Sequence, residues 1–296
     1  MRYIRLIYIT WGICLISLIC CQGNQELARD DNAIDTPASD EPQRSSSDNR
    51  AVIVKPDARM SFIDYCLVDK RPSELDKTVS ILLSLVDEKL CGIAQAKIGR
   101  LDAINLIGSN ISDVRPFRFF TSVESVDLRF NFIEDMTPIG TMLGLQTLVL
   151  DSNPIKIFGD LSGLKKLVFL SLKQAPLEDL TDLSTLVSLQ ELYLDRSAVK
   201  SLAGAEKLLK LERLHLDVTN ISDLQPISQL VALKSLRLSG TKVDDLTPLQ
   251  GLVNLEELDL SNTLLAIDPS LKTPENCPTG PDVAELVSNF CAASVP

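Results

Sequence analysis

The chain contains a single histidine, His215, and imidazole is the side chain best suited to proton transfer near neutral pH. Together with Asp217 and a serine such as Ser239, it suggests a serine-hydrolase triad. A triad needs an enclosed pocket with oxyanion donors, which an open sheet of the kind predicted below does not provide. One histidine also excludes the two-histidine zinc motif. We therefore expect no enzyme, metal or cofactor, with a hydrolase using His215 as a remote alternative.

The charge of the chain argues against nucleic acid as a partner. Its 296 residues include 29 Lys and Arg against 40 Asp and Glu, for a formal net charge of −11. Nucleic-acid affinity comes largely from Lys and Arg that displace counterions, so an acidic chain is a poor partner for a phosphate backbone. The composition predicts a globular, acidic binding protein.

The N-terminus has the layout of a targeting segment. Arg2 and Arg5 precede an uncharged run from Leu6 to Cys21, as in a secretory signal peptide. Residues 18–21, Leu-Ile-Cys-Cys, also resemble a bacterial lipobox, in which the last cysteine is lipidated after cleavage before it. Three alternatives stay open for residues 1–21: a lipoprotein anchored at Cys21, plain secretion, or a retained membrane helix. We expect an extracytoplasmic protein, lipid-anchored in the cell envelope or secreted, that contacts the membrane only through this segment.

Residues 22–58 differ from the rest of the chain in composition. They are polar, acidic and rich in residues that break helices and strands, as in Asp40-Glu41-Pro42. Such a stretch cannot bury enough apolar surface to offset its ordering entropy. We predict a disordered acidic linker that holds the folded part away from a membrane.

From residue 101 to residue 268 the chain repeats every 22 residues without insertion or deletion. Each anchor leucine has apolar residues two and five positions before it and one five positions after it. The alternation predicts a short strand, and because no unit closes its own core, stacked units should form a parallel sheet of about eight strands. Prolines further along the units favour tight turns or short 3₁₀ segments on the other side. The anchors are Leu106, Leu128, Leu150, Leu172, Leu194, Leu216, Leu238 and Leu260, and the prolines are Pro116, Pro138, Pro226 and Pro248.

This pattern resembles the leucine-rich repeat family, and within it the 22-residue subtype of internalin-like bacterial surface proteins and of the phosphatase-regulator class. Residues 230–251, LVALKSLRLSGTKVDDLTPLQG, carry the resemblance well. It implies an α/β repeat solenoid, a horseshoe with a concave parallel sheet and a turn and 3₁₀ convex side. The family's asparagine, three residues after the anchor, occurs here as Asn131 and Asn153. Ala175 cannot form its hydrogen bonds, so we expect the Ala175-Pro176 turn to be the loosest.

Both ends of such a stack need a cover, and the sequence predicts a helical cap at each. In the N-terminal cap, residues 59–100, Pro72-Ser73 begins an amphipathic helical pattern. In the C-terminal cap, residues 269–296, Pro281 is expected to open a helix. The apolar positions are Leu75, Val79, Leu82 and Val86 in the first cap and Val283, Leu286, Val287 and Phe290 in the second.

Four cysteines flank these helical patterns, two in each cap. Of the three possible pairings, Cys66–Cys91 with Cys277–Cys291 is favoured because the caps lie far apart. Four free buried thiols are the alternative. Disulfides and a signal segment agree on an oxidising compartment, and the cap cysteines resemble the flanking modules of secreted bacterial leucine-rich repeat proteins.

Residues beside the strand leucines must point out of the sheet on the concave side, because side chains alternate. Tyr and Arg are the residue types that most often dominate interface energetics. A cluster of aromatic and basic residues lies on adjacent strands of this face. We predict that this cluster binds a protein or peptide and that the chain is a monomer. The alternative is that these are ordinary solvated positions of a structural envelope scaffold without a discrete ligand. The cluster comprises Phe169, Tyr193, Arg213, His215 and Arg237, rimmed by Asp151, Asp195 and Asp217.

Overall fold

A computed structural model of the chain describes residues 61–68 and 71–293. The predicted targeting segment with Cys21, and the predicted linker 22–58, lie outside the described residues. All the described residues fall in one compact unit within residues 54–296. Among them, no helix is both long and apolar enough to cross a membrane.

Eight strands of three residues each lie in chain order in one parallel sheet, which confirms the predicted sheet. Neighbouring strands pair at an offset of 22 residues, so that Leu192 lies beside Leu214 and Leu214 beside Leu236. The register follows from the repeat, because any slip would move the leucines out of the core. The strands are β1 Ala103–Asn105, β2 Ser125–Asp127, β3 Thr147–Val149, β4 Phe169–Ser171, β5 Glu191–Tyr193, β6 Arg213–His215, β7 Ser235–Arg237 and β8 Glu257–Asp259.

The core is one continuous column of aliphatic side chains behind the sheet. All eight anchor leucines are buried, as are the apolar residues five positions after each of them. Only the ends are partly open, at Leu101 and Leu258, where a repeat has a neighbouring repeat on one side only.

The side of the solenoid opposite the sheet contains short 3₁₀ helices, as predicted. Each of the four prolines lies in the first turn of one of them, where its missing N–H costs nothing. An aspartate two residues before several of these turns accepts a backbone N–H, as Asp135 does from Thr137 at 2.9 Å. The 3₁₀ helices are Arg115–Phe119, Thr137–Thr141, Thr181–Leu183, Ala205–Lys207, Gln225–Ile227 and Thr247–Leu249.

Three helices cover the first repeat: α1 Phe62–Leu67, α2 Ser73–Leu85 and α3 Cys91–Ile98. Only α2 was predicted from the sequence. The helix α1 begins at a capping box in which Ser61 and Asp64 satisfy each other's backbone N–H groups. Phe62 packs on Phe120 with ring centroids 5.4 Å apart, so α1 seals the end of the core.

The last repeat is covered by α4 Leu264–Ile267, a 3₁₀ turn at Pro269–Leu271, and α5 Glu285–Ala292. The predicted helix start at Pro281 is wrong by four residues. The chain there serves as an incomplete further repeat instead. The backbone carbonyl of Asp282 accepts the Gly251 N–H at 2.9 Å, and that of Asn276 accepts the Leu246 N–H at 2.8 Å. Carbonyls used in this way hold residues 276–284 along the last repeat, and the helix begins only after them.

Each cap is closed by one disulfide with the predicted pairing. Cys66 pairs with Cys91 and Cys277 with Cys291, with Cα atoms 5.9 and 5.7 Å apart. The first joins α1 to α3, and the second joins the loop after α4 to α5. The alternative of four free thiols is therefore wrong.

Asparagines at the family's buried position link successive turns in the first repeats. Asn153 accepts the Ile133 N–H at 3.1 Å and donates to the Leu128 and Leu150 carbonyls at 2.9 and 3.0 Å. At the equivalent position, the Thr219 hydroxyl donates only within its own turn, to the Leu216 carbonyl at 2.7 Å. Ala175 is buried and offers no polar side chain, and the looseness of its turn remains a prediction.

Candidate functional site

The predicted cluster lies on the open face of the sheet, across β4 to β7. The pairing of β5 with β6 places Tyr193 beside His215, and the pairing of β6 with β7 places His215 beside Arg237. Phe169 and Tyr193 have ring centroids 5.1 Å apart, and Tyr193 and His215 meet edge to face at 4.6 Å. We call Phe169, Tyr193 and His215 the aromatic ladder. The edge-to-face geometry of Tyr193 and His215 is one of those preferred by interacting rings.

The orientation of Tyr193 is fixed by its hydroxyl, which donates to Glu191 Oε2 at 2.7 Å. Burial and the neighbouring Glu191 carboxylate raise the pKa of Tyr193 to about 12, so the phenol keeps its proton at neutral pH. The Tyr193 hydroxyl is thus engaged within the face itself.

The two arginines of the cluster are already paired. Arg213 Nη1 lies 2.8 Å from Glu191 Oε1. Arg237 Nη2 lies 2.7 Å from Asp217 Oδ2 and 3.7 Å from Asp259 Oδ2. All these side chains keep contact with solvent, so each pair contributes little to folding, about 0–1 kcal/mol. The pairs hold the arginines in defined positions beside the aromatic ladder.

The rim aspartates Asp195 and Asp217 each have two roles. One oxygen of Asp195 accepts the Asp217 N–H at 3.1 Å, and one of Asp217 accepts the Ser239 N–H at 3.0 Å. The second oxygen of Asp195 binds Lys173 at 2.8 Å, and that of Asp217 binds Arg237. The aspartates thus tie neighbouring turns together while they present charge.

Two residues central to the site, Lys173 and Glu191, were not among the predicted site residues. Both stand in the outward-facing columns of the repeat, so their position was visible in the sequence. Their importance was not, because it comes from contacts with Tyr193 across neighbouring strands.

His215 is half-buried, and this burial lowers its pKa, so the ring is neutral at pH 7. Its Nε2 lies 3.3 Å from the Ser235 hydroxyl, which itself donates to Glu257 at 2.7 Å. His215 Nε2 must therefore be the donor in its contact with Ser235. The Ser239 hydroxyl instead lies 2.7 Å from that of Ser261, which donates its hydrogen to Asp259 at 2.7 Å. The imagined triad of His215, Asp217 and Ser239 is not assembled as a proton relay.

No group of three or more His, Cys, Asp or Glu side chains is arranged to hold a metal ion within residues 61–68 and 71–293. The described face is thus an array of rings and ion pairs on three-residue strands. It offers contact area and charge.

The eight-stranded parallel sheet, the leucine column and the 3₁₀ side define a leucine-rich repeat horseshoe, as predicted. The family model for leucine-rich repeats, in two copies, matches residues 231–273. The match covers the last repeats, and the other described repeats share their strand pairing and their offset of 22 residues. No match was found among curated proteins.

Solved structures of the same architecture come from several sources. Internalin C2 of Listeria monocytogenes is 25% identical, with a TM-score of 0.56 over 62% of this chain and 82% of that one. A leucine-rich repeat protein of Leptospira interrogans is also 25% identical, with a TM-score of 0.52 over 56% of this chain and 45% of its own. A complex of TLR13 with ssRNA13 is 24% identical, with a TM-score of 0.51 over 58% and 27%, a likeness of fold alone.

Proposed function

We propose that this is an exported leucine-rich repeat protein, tethered to a membrane at its N-terminus, that binds a protein segment on its concave face. The aromatic ladder is the observation that carries the proposal. Rings on the solvent face of a sheet add nothing to the core, yet these three contact one another in series, and Tyr193 is held by Glu191 and by the pairing of β5 with β6. Ordered aromatic and arginine side chains on an open face are typical of interface hot spots.

The alternative, an envelope scaffold without a discrete ligand, explains the core but not the ladder. A scaffold needs only small or polar side chains at outward-facing positions, such as those of β1, where Ala103 and Asn105 are exposed. The internalin-like 22-residue subtype fits the offset between paired strands and the likeness to internalin C2.

Export is supported by the two cap disulfides, which persist in oxidising compartments and are rare in the cytosol. The N-terminal sequence agrees, since Arg2, Arg5 and the run from Leu6 to Cys21 are typical of a signal segment. With Cys21 lipidated, residues 22–58 would separate the repeats from the membrane.

The lipid anchor is tested by labelling producing cells with a palmitate analogue. We expect label on the wild-type chain and none on Cys21→Ser, with Cys20→Ser as the matched control that keeps its label. Equal labelling of wild type and Cys21→Ser would contradict the anchor and leave plain secretion or a retained helix.

The binding face is tested by placing a photo-crosslinking amino acid at Val149, on the same face one strand beyond the ladder. Val187, exposed in the turn before β5, is the matched position outside the face. In intact producing cells we expect a discrete crosslinked protein from position 149 and none from 187. The double variant Tyr193→Ala, Arg237→Ala should remove at least about 90% of that crosslink, since truncated hot spots cost 2 kcal/mol or more.

The same experiment can reject the proposal. If the crosslink survives the double variant, or forms equally from position 187, the cluster is not the binding face. Unchanged thermal unfolding of the double variant would show that the loss is one of contact, because both side chains are partly exposed.

A further inference from the structure

The concave face carries more negative than positive charge. Each of its cations is already paired with a carboxylate of the same face. Asp151 and Glu257 instead accept hydrogen bonds from neutral donors, the Lys173 backbone N–H and the Ser235 hydroxyl among them. Over β2 to β8 the carboxylates are Asp127, Asp151, Glu191, Asp195, Asp217, Glu257 and Asp259, and the cations are Arg129, Lys173, Arg213 and Arg237.

One cation of the face occupies a position that suits a ligand. The ammonium of Lys173 lies 5.0 Å from the centroid of the Tyr193 ring and 2.8 Å from Asp195 Oδ2. A ring face beside a carboxylate is the chemistry that binds ammonium and guanidinium groups. The Lys173 side chain is flexible and 38% exposed. An incoming cation can therefore displace its ammonium group from this position.

From this we infer that the partner segment is cationic and that one of its Lys or Arg side chains takes the place of the Lys173 ammonium between Tyr193 and Asp195. The inference rests on the proposed function, since it names the chemistry of what the concave face binds. Surplus carboxylates on both sides of the ladder, Asp151 and Glu257, would then meet further cations along the same segment.

The test is fluorescence anisotropy of the full chain with two labelled probe peptides, (Lys-Ala)₄ and (Glu-Ala)₄, at low salt. We expect the basic peptide to bind more tightly than the acidic one. Lys173→Met should tighten binding of the basic peptide about twofold to fivefold, because it removes the exposed ammonium that competes with the peptide for Asp195 and the Tyr193 ring. Tyr193→Leu should weaken it by a similar factor, because leucine keeps the apolar contact and loses the ring face.

The matched control is Lys200→Met. It removes the same charge from an exposed pair with Glu178 that lies away from the sheet face, and should leave the affinity unchanged. If Lys173→Met and Lys200→Met tighten binding equally, the attraction is that of an acidic chain as a whole and the inference is overturned. It is equally overturned if Lys173→Met weakens binding, if Tyr193→Leu changes nothing, or if (Glu-Ala)₄ binds more tightly.

Failure of the inference is separable from failure of the proposed function. The crosslink from position 149 does not depend on the sign of the partner's charge. If that crosslink forms and is lost in the double variant while the peptide series fails, the face binds a partner that is not cationic. If the crosslink itself fails, the binding function fails with it.

Discussion

Replacing Asn153 with alanine is expected to lower the free energy of unfolding by about 2–4 kcal/mol. Asn153 is 2% exposed, and its side chain joins three backbone groups from two repeats. Alanine leaves the Ile133 N–H and the Leu150 carbonyl without this partner, and each orphaned group costs about 1–3 kcal/mol. The Leu128 carbonyl still accepts from Asn131 Nδ2 at 2.8 Å. Urea unfolding followed by circular dichroism measures the loss.

Two substitutions at equivalent positions make the prediction specific. The Ser197 hydroxyl is buried without a hydrogen-bond partner, so Ser197→Ala should be neutral or slightly stabilising. Ala175→Asn should stabilise by about 1 kcal/mol, because Asn153 shows that an asparagine fits before a proline in this turn. A loss in Ser197→Ala equal to that in Asn153→Ala would contradict the argument, since it would mean that burial alone decides.

The sheet could be predicted from the sequence because one period sets everything in it. A fixed step of 22 residues determines which residues pair, which point inward and which reach the open face. The caps have no such period. The helices α1 and α3 have only six and eight residues, too few for a helical repeat to stand out from local composition.

The positions of the predicted site residues on the open face follow from the sequence, but their contacts, and with them Lys173 and Glu191, do not. Alternation along the strands places Phe169, Tyr193 and His215 on the same face, and the structure has Tyr193 beside His215 and Phe169 diagonal to Tyr193. The charge pairs were not predictable in the same way. Arg237 reaches both Asp217 and Asp259, so a long side chain among several carboxylates has no single partner that spacing alone selects.

Gly204→Ala is the second substitution with a large expected cost, about 2–6 kcal/mol. The backbone of Gly204 has φ +98°, which L residues rarely adopt. An added Cβ would lie 2.4 Å from the Leu180 carbonyl oxygen and 2.8 Å from the Thr181 Cα. Both are backbone atoms of the preceding repeat, so backbone strain of about 1–3 kcal/mol is joined by an overpacking cost of similar size.

Gly251→Ala is the control that separates the two costs. Gly251 has φ +91°, but a Cβ there would meet nothing within 4 Å, so only the strain of about 1–3 kcal/mol applies. Equal losses in the two variants, measured by urea unfolding, would show that the close approach to Leu180 costs nothing.

The backbone conformation of Gly204 also explains a break in the sequence pattern. Four other repeats have proline at the position of Gly204, and their 3₁₀ helices begin one residue before it, whereas here the helix begins only at Ala205. Glycine is required because this repeat enters its turn through a conformation that proline cannot adopt.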